Sequence, residues 1–471
     1  MPTSRRSSAG VLRALAAGLT VVGSLVAWGA AGAQLAAAAG LPPCPMSALK
    51  KAKGPVQISF WESMSPTDAN GKTLESLAAK FNASQSKVHV NLVNQASYDD
   101  TWQKYQAGLS NGQLPDVVQL EDIDQQGVID SRSILPVQSC INATHYSTSD
   151  FVQRALAYWH TDGAQQAMPF SVSNPIVYYN KQSFTKAGLN PNDPPTTLPQ
   201  LMKDAAALKA SGSGMGFKLD PWHLETWLAT ANQLFVNNGN GRSSRATKAV
   251  FDTKTAKTIW TDLDQLVRSG DATTNPSTGT DEFDNLLGMG SGKYGMTIDS
   301  SADLGTVTSL LHGYPNVTLG IGPFPVLSAT IKGGVEPGGS ALYICSKAPK
   351  VQQAAAWQFI QFLDSTQSQA TWAAGTGYVP IRRSATTTAT IKNLWAATPG
   401  FKVAYQQLVN GATTKATAGA VIGPFPQVRT DVLNAEESMY QQGVSPATAL
   451  KNAASAVNAT ISQYNQSLGV G

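Results

Sequence analysis

Several short patterns in the chain contain residue types that could support catalysis. The G-x-S-x-G pattern of serine hydrolases occurs at residues 108–112, with Ser110 in the place of the nucleophile. That nucleophile elbow requires a strand before the serine and a helix after it. In this chain a helical pattern ends at these residues and a strand-like run follows. Gly108 or Gly112 is therefore predicted to end a helix, and no hydrolase elbow is expected.

A phosphate loop and a metal centre are also poorly supported by the spacing. Residues 288–293 resemble part of a P-loop, but Leu287 stands where the first glycine belongs and Tyr294 replaces the required serine or threonine. The five histidines include no pair four residues apart, and no cysteines are spaced for a tetrahedral metal site. We therefore expect no cofactor and no bound metal.

Charged residues that could bind or activate a ligand occur at two places. Glu121, Asp122 and Asp124 directly follow an apolar run, where carboxylates could act as general acid and base. Catalysis cannot be argued from them without a partner carboxylate at a known separation. Arg429 follows the proline-stiffened segment 423–428, and its guanidinium could bind a phosphate or a carboxylate with two parallel hydrogen bonds.

Aromatic residues near predicted strand ends and turns form a further candidate set. They are Trp61, Tyr98, Trp222, Trp227 and Tyr378. Aromatic faces pack on the C–H surfaces of polyols and attract cations, so these side chains could line a polyol or cation site. The alternative, which the pattern favours for each of them, is an ordinary aromatic residue of the hydrophobic core.

The elements that would position these residues alternate between strand and helix. Strand-like runs at 56–61, 88–92 and 115–120 are separated by segments with helical spacing of apolar residues. Ser97 with Asp100 predicts a capped start for the second of these helices. This order predicts an α/β fold with mostly parallel sheets flanked by helices.

The predicted sheets indicate which loops would contact a ligand. Ligands of open α/β sheets bind beyond the carboxyl ends of the strands. The loops after Trp61, Leu120, Phe170 and Asp299 are therefore expected to face a ligand.

The first 39 residues have the composition of a secretory signal. Arg5, Arg6 and Arg13 accompany an apolar run without acidic residues, and Ala37–Ala39 would suit cleavage. The alternative is a transmembrane anchor, although Gln34 interrupts the run. We expect an exported, extracytoplasmic protein, periplasmic or associated with the cell envelope.

Charge and length exclude some classes of partner and favour two lobes. The 471 residues carry a formal charge of +4, and removal of the three signal arginines leaves +1. A near-neutral chain argues against a nucleic acid or an anionic membrane as partner, because both require a strong basic patch. The 432 residues after position 39 exceed the size at which one core usually divides.

The three cysteines have different surroundings. Cys44 and Cys140 flank the first predicted lobe, and in an oxidising compartment they are expected to form a disulfide. Cys345 lies in an apolar strand-like run and is expected to be a buried free thiol. Prolines before Cys44 occupy positions where a lipidation signal has small residues, which makes this segment a poor lipobox.

Four stretches of the chain carry a resemblance to a known family. They are FWESM at 60–64, MPFSVSNPIVYYN at 168–180, GTGYVPI at 375–381 and PQVR at 426–429. The chain resembles the extracellular solute-binding proteins (family 1) of ATP-binding-cassette (ABC) importers, in particular the branch that binds glycerol 3-phosphate and glycerophosphodiesters. The resemblance runs from about Pro55 to the C-terminus. It implies a periplasmic-binding-protein-like fold, in which two α/β lobes joined by crossover strands close on a ligand.

The resemblance also implies contacts with the ligand. Tyr98 and Asp122 would meet the glycerol hydroxyls, and Arg429 would supply the countercharge to the phosphate. The phosphate oxygens and neighbouring hydroxyls would be bound by Ser173, Ser300, Tyr378 and the backbone at Gly339. Nothing in this set is arranged to break a bond, so we expect a binding protein and no enzyme.

Two positions depart from the enteric glycerol-3-phosphate binders that the chain resembles. Asp122 stands in place of Glu, so its carboxylate reaches less far. Leu198 stands in place of Trp, which should open the pocket, as in related actinobacterial proteins. We therefore expect a larger ligand such as glycerophosphocholine, whose ammonium group would pack on an aromatic face, with Trp222 as the candidate. Trp61 is a further candidate for an aromatic contact in the pocket.

The resemblance also leads to expected lobe boundaries and binding partners. The first lobe is expected at 40–170 and 293–340, and the second at 171–292 and 341–471. The expected partners are a small phosphodiester or polyol and a cognate ABC permease, with the protein itself a monomer. Three alternatives stay open: a neutral di- or oligosaccharide ligand with Arg429 in a structural ion pair, a secreted hydrolase using Asp122 or Ser110, and a structural cell-surface module.

Overall fold

The computed structural model describes residues 40–276 and 283–470. The signal predicted for residues 1–39 lies outside the described residues. The strands in chain order are β1 (Val56–Glu62), β2 (Val88–Asn94), β3 (Val117–Glu121), β4 (Ile134–Leu135), β5 (His160–Thr161), β6 (Ala164–Gln165), β7 (Met168–Ser173), β8 (Pro175–Asn180), β9 (Met215–Lys218), β10 (Ala272–Asn275), β11 (Met296–Ser300), β12 (Leu319–Pro323) and β13 (Gly338–Cys345).

Helices cover the sheets and fill most of the last third of the chain. The α-helices are Met46–Lys51, Ala69–Ser84, Tyr98–Asn111, Gln125–Asp130, Gln138–Thr144, Gln153–Tyr158, Lys181–Lys186, Leu198–Ala210, Pro221–Thr230, Asn237–Asn240, Lys254–Arg268, Asp284–Gly290, Leu304–Leu311, Lys350–Leu363, Thr366–Thr376, Ala389–Ala397, Phe401–Asn410, Phe425–Gln442 and Pro446–Ser467. In the described part of the chain, 3-10 turns occur at Asp122–Asp124, Ser301–Asp303 and Arg383–Thr387.

The first sheet has the strand order β2-β1-β3-β13-β4, and β7 pairs with β13. Strand β1 is parallel to β2 and β3, as the alternation of strands and helices predicts. Strand β13 runs antiparallel to β3, β4 and β7. The helix Ala69–Ser84 packs beside this sheet and buries its apolar positions, among them Leu74 and Phe81.

The second sheet has the strand order β10-β9-β11-β8-β12. Strand β9 is parallel to β10 and β11, whereas β8 is antiparallel to both β11 and β12. Each sheet is therefore mixed. One antiparallel strand enters each of them, because the chain arrives there from the other lobe.

The strand pairing corrects the expected lobe boundaries. Strands β11 and β12 fall in segment 293–340, which we expected in the first lobe, yet both belong to the second sheet. Strand β13 and the helix Lys350–Leu363 belong with the first sheet, although most of β13 and the whole helix fall in segment 341–471, expected in the second lobe. The boundary was wrong because the apolar pattern of a strand does not reveal which sheet it joins.

The chain crosses between the two sheets more than once. Asn174 alone separates β7 in the first sheet from β8 in the second. The chain returns to the first sheet between β12 and β13. These crossings bring the carboxyl end of β3 close to residues carried by the second lobe.

Two large hydrophobic clusters contain most of the buried apolar side chains in the described residues. The first contains Phe60, Tyr105 and Trp357, and the second contains Trp227 and Trp260, all of them at most 1% exposed. A disulfide joins Cys44 to Cys140, the pair expected from the sequence. Cys345 is a buried free cysteine on β13.

Within residues 40–276 and 283–470, no helix is long and apolar enough to cross a membrane.

Candidate functional site

A cavity of about 250 Å³ lies between the two lobes. It is lined by Tyr98, Glu121, Asp122, Ser173, Gly338, Gly339 and Tyr378, together with Lys218, Asp220, Trp222, Phe283, Asp299, Ser300, Ala302, Asp303 and Arg429. Most of these residues follow a strand or begin a helix, which is where α/β folds present ligand-binding groups.

The first lobe presents its polar groups from two neighbouring element ends. Strand β3 ends at Glu121, and the 3-10 turn that follows carries Asp122. Tyr98 is the first residue of the helix Tyr98–Asn111, whose start is capped by Ser97 accepting the backbone N–H of Asp100 at 3.1 Å. The capping pair predicted from the sequence is therefore confirmed, and it fixes the place of Tyr98.

A chain of hydroxyl groups follows Tyr98 along the cavity wall. The hydroxyl oxygens of Tyr98 and Tyr378 lie 3.2 Å apart, and the Tyr98 hydroxyl also donates to Ser340 Oγ at 3.2 Å. Gln119 Nε2 donates to the same Ser340 Oγ at 2.8 Å. Tyr378 stacks on Trp372 with ring centroids 5.4 Å apart. The wall therefore holds its hydroxyls in fixed positions.

The backbone at Gly339 approaches the cavity where a side chain could not fit. Gly339 has a φ of +101°, in the left-handed region, and a Cβ atom there would overlap the carbonyl oxygen of Ser171. A Cβ atom on Gly338 would overlap the ring of Trp222. Both glycines are required by this close packing, which exposes peptide groups to the cavity.

Arg429 lies in the helix Phe425–Gln442 and is held by a carboxylate of its own lobe. Its Nε is 3.0 Å from Glu225 Oε1, and its Nη2 is 2.9 Å from Glu225 Oε2. Across the cavity, Nη1 is 3.7 Å from Glu121 Oε1 and Nη2 is 3.8 Å from Asp122 Oδ2. Burial alone would lower the pKa of Arg429, but Glu225 and Asp122 raise that pKa well above its ordinary value.

A second buried cation, Lys218, is paired as well. Its Nζ lies 3.0 Å from Asp299 Oδ1, and Asn285 Nδ2 donates to the other oxygen of Asp299 at 2.8 Å. The Lys218 ammonium also lies 5.8 Å from the ring centre of Phe283. Burial would lower the pKa of Lys218, but the Asp299 carboxylate raises it above its usual range. Lys218 therefore stays charged and bound to Asp299.

Three carboxyl groups near Arg429, those of Asp122, Glu121 and Glu336, have raised pKa values. Burial raises the pKa of Asp122 to about 6, against the opposing effect of Arg429. Burial, together with the charge of Asp122, raises the pKa of Glu121 above its usual range. Burial and the Glu225 carboxylate do the same for Glu336. With a pKa of about 6, Asp122 can therefore exchange a proton just below neutral pH.

All the residues that the resemblance predicts to contact the ligand line the cavity. Those residues are Tyr98, Asp122, Ser173, Ser300, Gly339, Tyr378 and Arg429. Trp222, the candidate for an ammonium group, also lines the cavity. Their contact with a ligand remains a prediction.

Three other candidates lie outside the cavity lining. Leu198 begins the helix Leu198–Ala210 and packs in the second core, 1% exposed, and its expected effect on pocket size stays a prediction. Trp61 packs instead under the ammonium of Lys104, 4.8 Å from its ring centre. Trp227 is a core residue whose Nε1 donates to the carbonyl of Pro325. An aromatic or apolar residue near a strand end can face either side, and the sequence pattern does not tell which.

Sequence reasoning missed several lining residues. Lys218, Asp220, Phe283 and Asp303 belong to this set. It also missed Glu225, which lies behind the lining as the partner of Arg429. Lys218 is the last residue of β9, so the rule that ligands meet strand ends could have found it. Glu225 had no such signal, because it lies 204 residues from Arg429 along the chain.

The G-x-S-x-G pattern around Ser110 lies at the end of a helix. Ser110 lies in the last turn of the helix Tyr98–Asn111, and Gly112 ends that helix with a left-handed φ of +75°. A helix precedes the serine, so the segment lacks the geometry of a nucleophile elbow. In the part of the chain that the structure describes, no group of three or more His, Cys, Asp or Glu is placed to hold a metal ion.

The chain is similar in sequence to known periplasmic binding proteins. It is 28% identical over 424 residues to the sn-glycerol-3-phosphate-binding periplasmic protein UgpB of Yersinia pestis, which covers 87% of this chain and 93% of that protein. It is 26% identical over 435 residues to UgpB of Escherichia coli, covering 90% and 96%.

Solved structures share the fold. UgpB of Mycobacterium tuberculosis in complex with glycerophosphocholine has a TM-score of 0.74 at 20% identity, covering 88% of this chain and 99% of that one. The GacH receptor of Streptomyces glaucescens, solved unliganded and with acarbose, has a TM-score of 0.71 at 19% identity, covering 88% and 100%.

A family model agrees with this likeness over most of the chain. Residues 76–399 match the model of the bacterial extracellular solute-binding proteins. The match covers more than half of the 471 residues and includes most of the cavity lining. The chain belongs to the bacterial extracellular solute-binding proteins.

Proposed function

We propose that the protein is the substrate-binding component of an ABC importer. It captures a glycerophosphodiester, such as glycerophosphocholine, or glycerol 3-phosphate between its lobes and delivers it to a cognate permease as a monomer. The family is extracellular, which agrees with the export signal expected at the N-terminus. The relatives in Yersinia pestis and Escherichia coli carry the name of glycerol-3-phosphate-binding proteins.

One observation supports this ligand class above the others. The seven residues assigned by resemblance come from separate parts of the chain and line a single cavity. Tyr98, Tyr378 and the serines offer neutral hydroxyls, while Arg429 offers a guanidinium. Neutral donors give a phosphodiester its orientation, and the guanidinium gives it a charge partner. Nothing in this set supplies a nucleophile with its base, so we expect binding without turnover.

A neutral sugar is the second candidate, and a specific contact favours it. Glu225 binds Arg429 with two hydrogen bonds of 3.0 and 2.9 Å, which is the structural ion pair expected if the ligand carried no charge. The carboxylates Glu121, Asp122, Asp220 and Asp299 also line the cavity. Carboxylates are common partners of sugar hydroxyls because they accept hydrogen bonds from them.

Titration calorimetry with four ligands separates these candidates. Glycerophosphocholine, glycerol 3-phosphate, maltose and trehalose are titrated into the protein and into Arg429→Ala. We expect binding of the glycerol phosphates, lost in the variant, and little heat from either sugar. Tight maltose binding that survives Arg429→Ala would contradict the proposal and support the sugar importer. Release of choline or glycerol during the same titrations would indicate an enzyme instead.

A further inference from the structure

Glu225 determines which part of Arg429 is left for a ligand. The side chain of Glu225 is 4% exposed and occupies the edge of the guanidinium formed by Nε and Nη2. The other edge, Nη1 and Nη2, faces Glu121 and Asp122 at 3.7 and 3.8 Å. These distances are too long for hydrogen bonds, so that edge can still donate to a phosphate.

The charges around this free edge are predominantly negative. Among the described residues, five carboxylates line the cavity: Glu121, Asp122, Asp220, Asp299 and Asp303. The described lining contains two cations, and both are paired, Lys218 with Asp299 and Arg429 with Glu225. A ligand therefore meets a cation whose charge is already largely offset, and each additional negative charge on the ligand is repelled by the carboxylates.

We propose that Glu225 sets the charge selectivity of the cleft by holding Arg429 side-on and offsetting its charge, so that the cleft accepts a phosphate with one negative charge and discriminates against one with two. The inference rests on the proposed function and narrows its ligand class. A phosphodiester carries one negative charge, whereas a phosphomonoester, whose second pKa is about 6, carries nearly two above neutral pH. The preferred ligands are glycerophosphodiesters, and glycerol 3-phosphate is disfavoured.

The first test needs no variant. Glycerol 3-phosphate and its methyl ester differ by one methyl group and one negative charge, so their comparison separates charge from size. Both are titrated calorimetrically into the wild-type protein at about pH 8. We expect the methyl ester to bind at least about tenfold more tightly. Equal affinities, or tighter binding of the monoester, would overturn the inference while leaving the proposed function in place. No binding of either ligand or of glycerophosphocholine would overturn the proposed function, and this inference with it.

The second test assigns the selectivity to Glu225. Glu225→Gln removes the charge beside Arg429, and the affinity ratio of methyl ester to monoester should fall on the order of tenfold. Glu225→Asp is the matched control, because it shortens the side chain but keeps its charge, and the ratio should stay within about twofold of the wild-type value. If the role of Glu225 were purely structural, each variant would bind the methyl ester and the monoester more weakly by the same factor. The affinity ratio of methyl ester to monoester would then keep its wild-type value in both variants. A folded Glu225→Gln protein with the wild-type ratio would overturn the assignment. If Glu225→Gln fails to fold, the wild-type comparison together with Glu225→Asp still decides, since loss of the ratio in Glu225→Asp contradicts the role of charge.

Discussion

Asp122 Oδ2 lies 3.8 Å from Nη2 of Arg429, across the boundary between the two lobes. The side chains of the pair are 3% and 16% exposed, so water screens their attraction only weakly. Asp122 comes from the turn after β3 in the first lobe, and Arg429 comes from the helix Phe425–Gln442 in the second. The distance leaves the facing edge of the guanidinium without a hydrogen bond to this carboxylate. A phosphate placed there would join the two lobes through Arg429.

Removal of the Arg429 side chain should affect both binding and stability. Arg429→Ala should weaken the binding of glycerophosphocholine by about 2–5 kcal/mol, because the buried phosphate loses its charge partner. It should also lower the free energy of unfolding by about 3–5 kcal/mol, because Glu225 is left as an unpaired buried charge. Calorimetry measures the first effect, and urea denaturation without ligand measures the second.

Arg268 provides a matched control for this variant. It forms an ion pair of 2.7 Å with Asp264 within one helix, but its side chain is 51% exposed. Exposed pairs contribute at most about 1 kcal/mol, so Arg268→Ala should change stability by no more than that and should leave the affinity unchanged. Similar effects of the two variants would contradict a specific role for Arg429.

Binding of an anionic ligand should be accompanied by proton uptake. Burial raises the pKa of Asp122 to about 6, so at pH 6.5 most of this carboxylate is charged. A phosphate nearby disfavours the charged form and raises the pKa further, so the complex holds more protons than the free protein. By linkage, affinity should rise as the pH falls from about 8 to about 6.

Calorimetry in two buffers of different ionisation enthalpy counts these protons. Glycerophosphocholine itself does not titrate in this range, so uptake reports on the protein. Asp122→Asn should reduce the uptake, because it removes the carboxyl group whose pKa is about 6. Proton release, or an affinity that falls with falling pH, would show that the charge of Asp122 favours the ligand.

Much of the cavity could be predicted from local sequence signals, and the reason is visible in Tyr98 and Asp122. Tyr98 follows a capping serine, and Asp122 follows a buried strand. Both signals lie within a few residues, and the α/β architecture brings such ends together. The partners of the cations are different, because Glu225 and Asp299 lie 204 and 81 residues from Arg429 and Lys218. Only the folded chain pairs them.

The lobe boundaries could not be predicted for a related reason. Strands β12 and β13 are both apolar segments of ordinary length, yet one pairs with β8 and the other with β3. The choice depends on edges offered by strands more than a hundred residues earlier. Alternating strands and helices predict that sheets form, but the antiparallel entry of β8 and β13 is a property of the complete topology.

Gly339 should tolerate no side chain. Gly339→Ala places a Cβ atom against the carbonyl oxygen of Ser171, in a residue whose φ is already +101°. The strained backbone and the overlap together should lower the free energy of unfolding by about 3 kcal/mol or more.

Gly163→Ala is the control, because Gly163 also has a positive φ, +75°, but a Cβ atom there has no neighbour within 4 Å. Its cost should be about 1–2 kcal/mol. Denaturant unfolding of the two variants compares them, and equal costs would contradict the tight packing at Gly339.

Substitution of Leu198 should mainly reduce stability, whereas substitution of Trp222 should reduce the affinity for the ligand. Leu198 is 1% exposed within the second core, and its backbone N–H donates to Val326 at 2.8 Å. Leu198→Ala should therefore cost about 2–4 kcal/mol of stability and leave the affinity for glycerophosphocholine within about twofold. Trp222 lines the cavity and packs on Gly338, so Trp222→Leu should weaken binding several-fold. Denaturation and calorimetry on both variants separate the two roles.

A loss of affinity in Leu198→Ala would mean that this position shapes the ligand site after all, as the resemblance to the enteric binders implies. An unchanged affinity would instead leave the carboxylates around Arg429, rather than pocket size, as the physical basis for preferring a diester.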